Sequence, residues 1–296
     1  MTVLAYRFLT GRYHATPWGA HVNEGLVEWP PSPYRLLRGL VATGFSRFSW
    51  SAIEGSAKEL FGLLASALPA YSLPDGTASH TRHYMPPFKG NTTKVIDAFL
   101  RFPKCSTMYV RYEIPLPDAS KALLASLLRA QPYLGRAESW VEGELLDEAP
   151  GGLTWLESTT QPPGPGFDRV ELLACEEAPT YQAWRASFVA RAVEKSELEE
   201  RRKAEAKGKA FKVLAKSDRE RIEKNLPRDV VMGLLQETGA LRKEGWSQPP
   251  GTRWVSYFRP SDALVPRVVA SPRRESELAP TTALLALSSD TSNVGA

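Results

Sequence analysis

An arginine, a tyrosine and a histidine stand together in Thr10-Gly11-Arg12-Tyr13-His14, and the same three residue types recur in Arg82-His83-Tyr84, followed by Lys89 and Lys94. Cationic side chains neutralise phosphates, and aromatic or guanidinium planes stack on splayed bases, so this combination suits a phosphodiester chain, RNA in particular. Arg35 and Arg38 add two cations on what reads as the exposed side of a helix. Each such contact contributes modestly, and their sum is salt-sensitive.

The histidines allow a second chemistry. Any two of His14, His21, His80 and His83 brought together beside a lysine or arginine would resemble a metal-independent ribonuclease site, one histidine acting as general base on a ribose 2′-OH. Spacing alone brings no two of them together, so no catalytic residue is assigned. The i, i+3 pair His80 and His83 lacks a neighbouring cysteine or carboxylate, a weak metal signal, and no metal or cofactor is expected. Cys105 and Cys175 are far apart with no CxxC, and they read as small buried hydrophobes. Trp29 and Trp140 read as packing residues, while Trp246, in a glycine- and proline-rich stretch, suits either packing or stacking.

Charge along the chain is uneven, although the net charge is only +4 over 296 residues. Residues 80–136 hold nine cations against three acids, residues 137–178 ten acids against Arg169 alone, and residues 185–228 fourteen cations against eight acids. Basic surface is thus offered to one kind of partner and acidic surface to another. With 43% hydrophobic residues the composition is that of a globular protein. No apolar run is long enough for a membrane span, and Arg7 interrupts the stretch that a secretory signal would need, so an intracellular, cytoplasmic chain is expected.

These residues need a frame to hold them. Val3 to Leu9 reads as a strand buried on both faces. Ser32 can cap, and Pro33 can open, a helix with Leu36, Leu37, Leu40 and Val41 at helical spacing; a second helix is expected over about Ile53 to Leu68. Ala78 to Pro103 lacks periodicity and reads as a long functional loop. Met108, Val110 and Tyr112 mark a half-buried strand, Leu123, Leu124, Leu127 and Leu128 a helix, and Ser139 to Leu145 and Arg169 to Cys175 two further strands. The sum is an α+β fold in the split βαβ order of a ferredoxin-like domain over residues 1–179. Residues 180–228 read as a projecting basic helical arm bending near Gly208. Residues 229–260 return as a short helix and the strand Thr252 to Arg259, and residues 261–296 read as a linker entering a further domain.

Several motifs in order carry a resemblance: Phe8-Leu9-Thr10-Gly11-Arg12-Tyr13-His14-Ala15-Thr16, Glu28-Trp29-Pro30-Pro31-Ser32-Pro33, Leu36-Leu37-Arg38-Gly39-Leu40-Val41-Ala42, His80-Thr81-Arg82-His83-Tyr84-Met85-Pro86, Asp97-Ala98-Phe99 and Leu134-Gly135-Arg136-Ala137-Glu138-Ser139. Over most of residues 1–260 the chain resembles the Cas-five part of the Cas-five/Cas-six fusion of CRISPR subtype I-G, formerly I-U. The resemblance implies a repeat-associated (RAMP), RNA-recognition-like domain. It also implies a role in Cascade, the antiviral surveillance ribonucleoprotein, where the domain caps the 5′ handle of the CRISPR RNA beside Cas-seven backbone and Cas-eight large subunits and near target DNA. Fused members continue into a Cas-six endonuclease, so repeat cleavage is not carried over to these residues.

Overall fold

The computed structural model describes residues 1–85, 90, 93–206, 216–224 and 226–265. In chain order its elements are β1 (Thr2–Phe8), β2 (Arg12–Tyr13), α1 (Pro33–Arg47), α2 (Gly55–Ala65), β3 (Ala70–Ser72), β4 (Thr77–Met85), β5 (Thr93–Arg101), β6 (Ser106–Tyr112) and α3 (Asp118–Ala130). They continue with β7 (Val141–Leu146), β8 (Phe167–Cys175), α4 (Ala178–Ala206), α5 (Lys216–Lys224), α6 (Val230–Gly233), α7 (Thr238–Lys243) and β9 (Thr252–Pro260). The class is α+β.

The alternating Leu4, Tyr6 and Phe8 of β1 drive the central packing. They join Leu36, Leu37 and Leu40 of α1, Met108, Val110 and Tyr112 of β6, and Leu124, Leu127 and Leu128 of α3 in one buried cluster. Burying each such side chain is worth about 1.5–3 kcal/mol, and this sum holds the layers together. The main sheet runs β3-β6-β1-β7, and each neighbouring pair is antiparallel. α1 starts where its residues dictate: the Ser32 hydroxyl accepts from the Arg35 N–H at 3.3 Å, and Pro33 fills the first turn, where its missing N–H costs nothing. Gly44 lets this helix approach Trp50 closely, because a Cβ there would stand 2.2 Å from the indole.

The segment expected to be a long loop is instead a hairpin. β4 and β5 pair from Thr77↔Arg101 to Met85↔Thr93, and β2 adds a short third strand through Arg12↔Arg101 and Tyr13↔Leu100. Both faces of β4 carry mostly polar side chains, so the period-2 apolar signal of a half-buried strand is missing there. Lys89, Asn91 and Thr92 lie outside the described residues, as does Gly208, where the arm was expected to bend.

β8 and β9 form a separate antiparallel pair tied to the main body by the Tyr257 hydroxyl, which donates to the Pro69 carbonyl at 2.7 Å. α4 buries only Tyr181, at its root, where Trp184, Phe188 and Trp246 cluster around it, so Trp246 is a packing residue. Farther along, Arg219 of α5 pairs with Glu197 of α4 at 2.8 Å. The short helix expected over Asp229 to Thr238 is only the four residues of α6, capped by Asp229, and a further helix, α7, begins at Thr238. Cys105 is exposed at positive φ rather than buried, and Trp140 is 57% exposed rather than packed; Trp29 and Cys175 are buried as expected. Among the described residues no helix is long and apolar enough to cross a membrane.

Candidate nucleic-acid interface

The hairpin sorts its side chains by strand alternation. Opposite partners share a face, so Thr81 and Asp97 stand with His83 on one side, while Arg82, Tyr84 and Lys94 stand with His80 on the other. The second face is open in its outer half, where His80, Arg82 and Lys94 are exposed and the Tyr84 ring is 66% exposed, while Ala98 and Leu100 at its base are buried. Cations flanking a solvent-facing aromatic ring form a surface on which a phosphate and a base can be held together. His80 and His83 point to opposite sides, so they do not converge on a metal.

The first face is tied down. Asp97 Oδ2 stands 3.1 Å from His83 Nε2, which is also 3.1 Å from Thr81 Oγ1, and Asp97 Oδ1 accepts from Arg136 Nη1 at 3.1 Å. The same Arg136 nitrogen stands 3.2 Å from His14 Nε2, and His14 Nδ1 is 2.6 Å from Glu138 Oε1. Burial pulls the His14 imidazole below its ordinary pKa, assisted by Arg136 against the opposing pull of Glu138. Partial burial pushes the Glu138 carboxyl up, but a backbone N–H, His14 and Arg136 outweigh it and hold the group below the usual carboxylate range. Glu138 is therefore ionised and His14 neutral near pH 7. The network then assigns the His14 tautomer: Nδ1–H donates to Glu138, and the bare Nε2 accepts from Arg136.

Four of the sequence-expected contacts are corrected by this arrangement. Tyr13 is fully buried against Phe8 and Trp29, and its hydroxyl has no hydrogen-bond partner. His14 is 2% exposed with both ring nitrogens engaged, so it has no free atom for a ligand. Arg35 is not a free cation of an open helix face. It donates to Glu28 at 2.6 Å and to the Thr16 carbonyl at 2.8 Å; desolvation opposes its charge, yet Glu28 keeps its pKa above the ordinary value. Arg38 is half-buried and donates to the Gln236 carbonyl. Both arginines line a cleft of about 280 Å³ with Trp18 and Tyr133. Arg12 stacks its guanidinium 4.0 Å above the Phe99 ring, and its Nε is buried without a partner. His21 serves a local turn, accepting from the Asn23 N–H at 3.3 Å. The four histidines therefore do not assemble a two-histidine site.

Sequence reasoning missed Asp97, Glu138 and Arg136 as members of one network, because the chain separates Arg136 from His14 by 122 residues. It also left open which sheet face is cationic. The open face of the main sheet carries Arg7 and Arg111, but Arg7 pairs with Glu142, and Arg111 with Glu113 at 2.6 Å and Glu157 at 3.1 Å. Glu144 adds a further exposed carboxylate, so this face is acidic and repels phosphate. The outer half of the hairpin, by contrast, combines exposed cations with an exposed aromatic ring. No family model matches the chain, and no curated protein matches it in sequence.

Proposed function

We propose that this chain is an RNA-binding subunit of a type I-G Cascade, a ferredoxin-like RAMP domain that caps the 5′ handle of the CRISPR RNA beside Cas-seven and Cas-eight subunits and takes part in targeting DNA. The fold assignment is supported by the antiparallel order β3-β6-β1-β7 with two helices between β1 and β3 and one between β6 and β7, an order that a split βαβ arrangement would give. The observation that carries the RNA reading is the exposed Arg82, Tyr84 and Lys94 strip on one face of the hairpin. Fluorescence anisotropy with labelled CRISPR-repeat RNA tests it. Arg82→Ala with Tyr84→Ala is expected to weaken binding about 10- to 100-fold, since one base stack and one phosphate contact are lost. Unchanged affinity overturns the reading.

A second reading, a metal-independent endoribonuclease, is favoured by one observation: His83, 53% exposed at its side chain, is oriented by Asp97 beside Arg136. A carboxylate-oriented imidazole next to a guanidinium is the arrangement for taking a 2′-OH proton and steadying charge at phosphorus. Incubating the chain with labelled repeat RNA in EDTA decides between the two: a discrete product lost in His83→Ala supports the enzyme, and intact RNA rejects it.

A further inference from the structure

The base of the hairpin packs into the core through Leu100, with Ala98 also buried, and farther out the described contacts with the body are polar. Beyond its base the described ties are few: Asn23 Oδ1 accepts from the Ile96 N–H at 3.0 Å on the β5 edge, and Asp97 takes the Arg136 guanidinium on the inner face. Arg136 is itself fixed twice. Its backbone N–H donates to the His14 carbonyl at 2.8 Å, and its Nη1 is shared between His14 Nε2 and Asp97 Oδ1. His14 in turn is locked by Glu138 at Nδ1 and by its backbone N–H, which donates to Ser139 Oγ at 2.8 Å. A continuous chain Glu138, His14, Arg136, Asp97, His83 thus runs from the 131–140 loop to the middle of β4. Neutral His14 is essential to it, because an imidazolium would turn a second donor toward Arg136.

From this geometry we propose that Arg136 is a positioning residue: through Asp97 and His83 it clamps the inner face of the hairpin, so that Arg82, Tyr84 and Lys94 are displayed outward in a fixed pose. The proposal rests on the RNA reading of the hairpin only for its consequence, not for the clamp itself. An interface held in this way binds without having to order the hairpin first, which is where preorganisation contributes affinity.

The test has two readouts on the purified full chain. Hydrogen exchange, read without RNA, should show β4 and β5 amides of Arg136→Ala and Asp97→Ala losing protection about fivefold to tenfold, the scale of a partly exposed charged contact, while β1 and β6 amides stay unchanged. The double variant should be no looser than either single variant, because both cut the same link. Repeat-RNA affinity supplies the opposing sign. Asp97→Ala removes a negative charge near the interface, which electrostatics alone would convert into tighter binding; loss of positioning weakens it about fivefold instead. Unchanged hairpin protection in both single variants overturns the clamp, and so does tighter RNA binding by Asp97→Ala. Looser hairpin amides in a chain that binds no RNA would leave the clamp standing and reject the RNA reading.

Discussion

Arg12-Tyr13-His14 and Arg82-His83-Tyr84 contain the same three residue types, and the fold gives them opposite tasks. The first triplet enters the body at β2: Tyr13 fills the core, His14 closes a buried polar network, and Arg12 lies on Phe99. The second lies on the outer strand of a hairpin paired on one side by β5, so Arg82 and Tyr84 meet solvent while His83 faces back toward Asp97. Residue type sets what a group can do, and the number of partners it already has sets what remains for a ligand. Tyr13 and His14 of the opening triplet are enclosed by the body, whereas Arg82 and Tyr84 of the hairpin stay exposed.

The contrast is sharpest in stability. Tyr13→Ala should cost about 3–5 kcal/mol in urea unfolding, because it empties a fully buried site, whereas Tyr84→Ala should stay within about 0.5 kcal/mol. Equal effects would break the comparison. The arginines divide in the same way. Arg35→Ala strands Glu28, which is only 5% exposed, and should cost about 2 kcal/mol, a figure discounted from that of a fully buried pair because Arg35 is 29% exposed. Arg82→Ala should leave the unfolding midpoint in place. Tyr13→Phe deletes a buried hydroxyl that has no partner, so stability should hold or rise by up to about 1 kcal/mol, with RNA affinity unaltered.

The smallest expected effect is a pH dependence. The folded-state pKa of His14 lies below its ordinary 6.5, so the unfolded chain binds more protons in the interval between the two values. The stability that depends on neutral His14 is therefore fully present above pH 6.5 and declines as pH falls toward the folded value. Glu138, lowered from 4.5, acts with the same sign at more acidic pH. Chemical unfolding at pH 7.5 and 5.5 should show this loss in the wild type and a flatter profile in His14→Gln.

What was legible in the sequence followed local rules. Ser32-Pro33 with leucines at helical spacing defined α1, and the alternation of Met108, Val110 and Tyr112 defined β6, because cap, period and burial agree within a few residues. β1 and β7 were also legible as strands, whereas β3, at three residues, is too short to show a period. The hairpin was hidden because β4 is mostly polar on both faces and β5 carries its apolar residues as the runs Val95-Ile96 and Ala98-Phe99-Leu100, so neither strand shows a clean period of two. The environment of His14 was hidden for a different reason. Its partners Arg136 and Glu138 stand more than a hundred residues away, and no local pattern announces that an imidazole will be buried between a guanidinium and a carboxylate.

The central claim is that RNA meets the hairpin and not the opening triplet. Ultraviolet crosslinking of repeat RNA to the full chain, with the adduct mapped by mass spectrometry, tests it most directly. Crosslinks at Tyr84, lost in Tyr84→Ala, with none at Tyr13, are the expected result. Crosslinks confined to Trp18 or Tyr133 around the α1 cleft, with the hairpin unmodified, would contradict it.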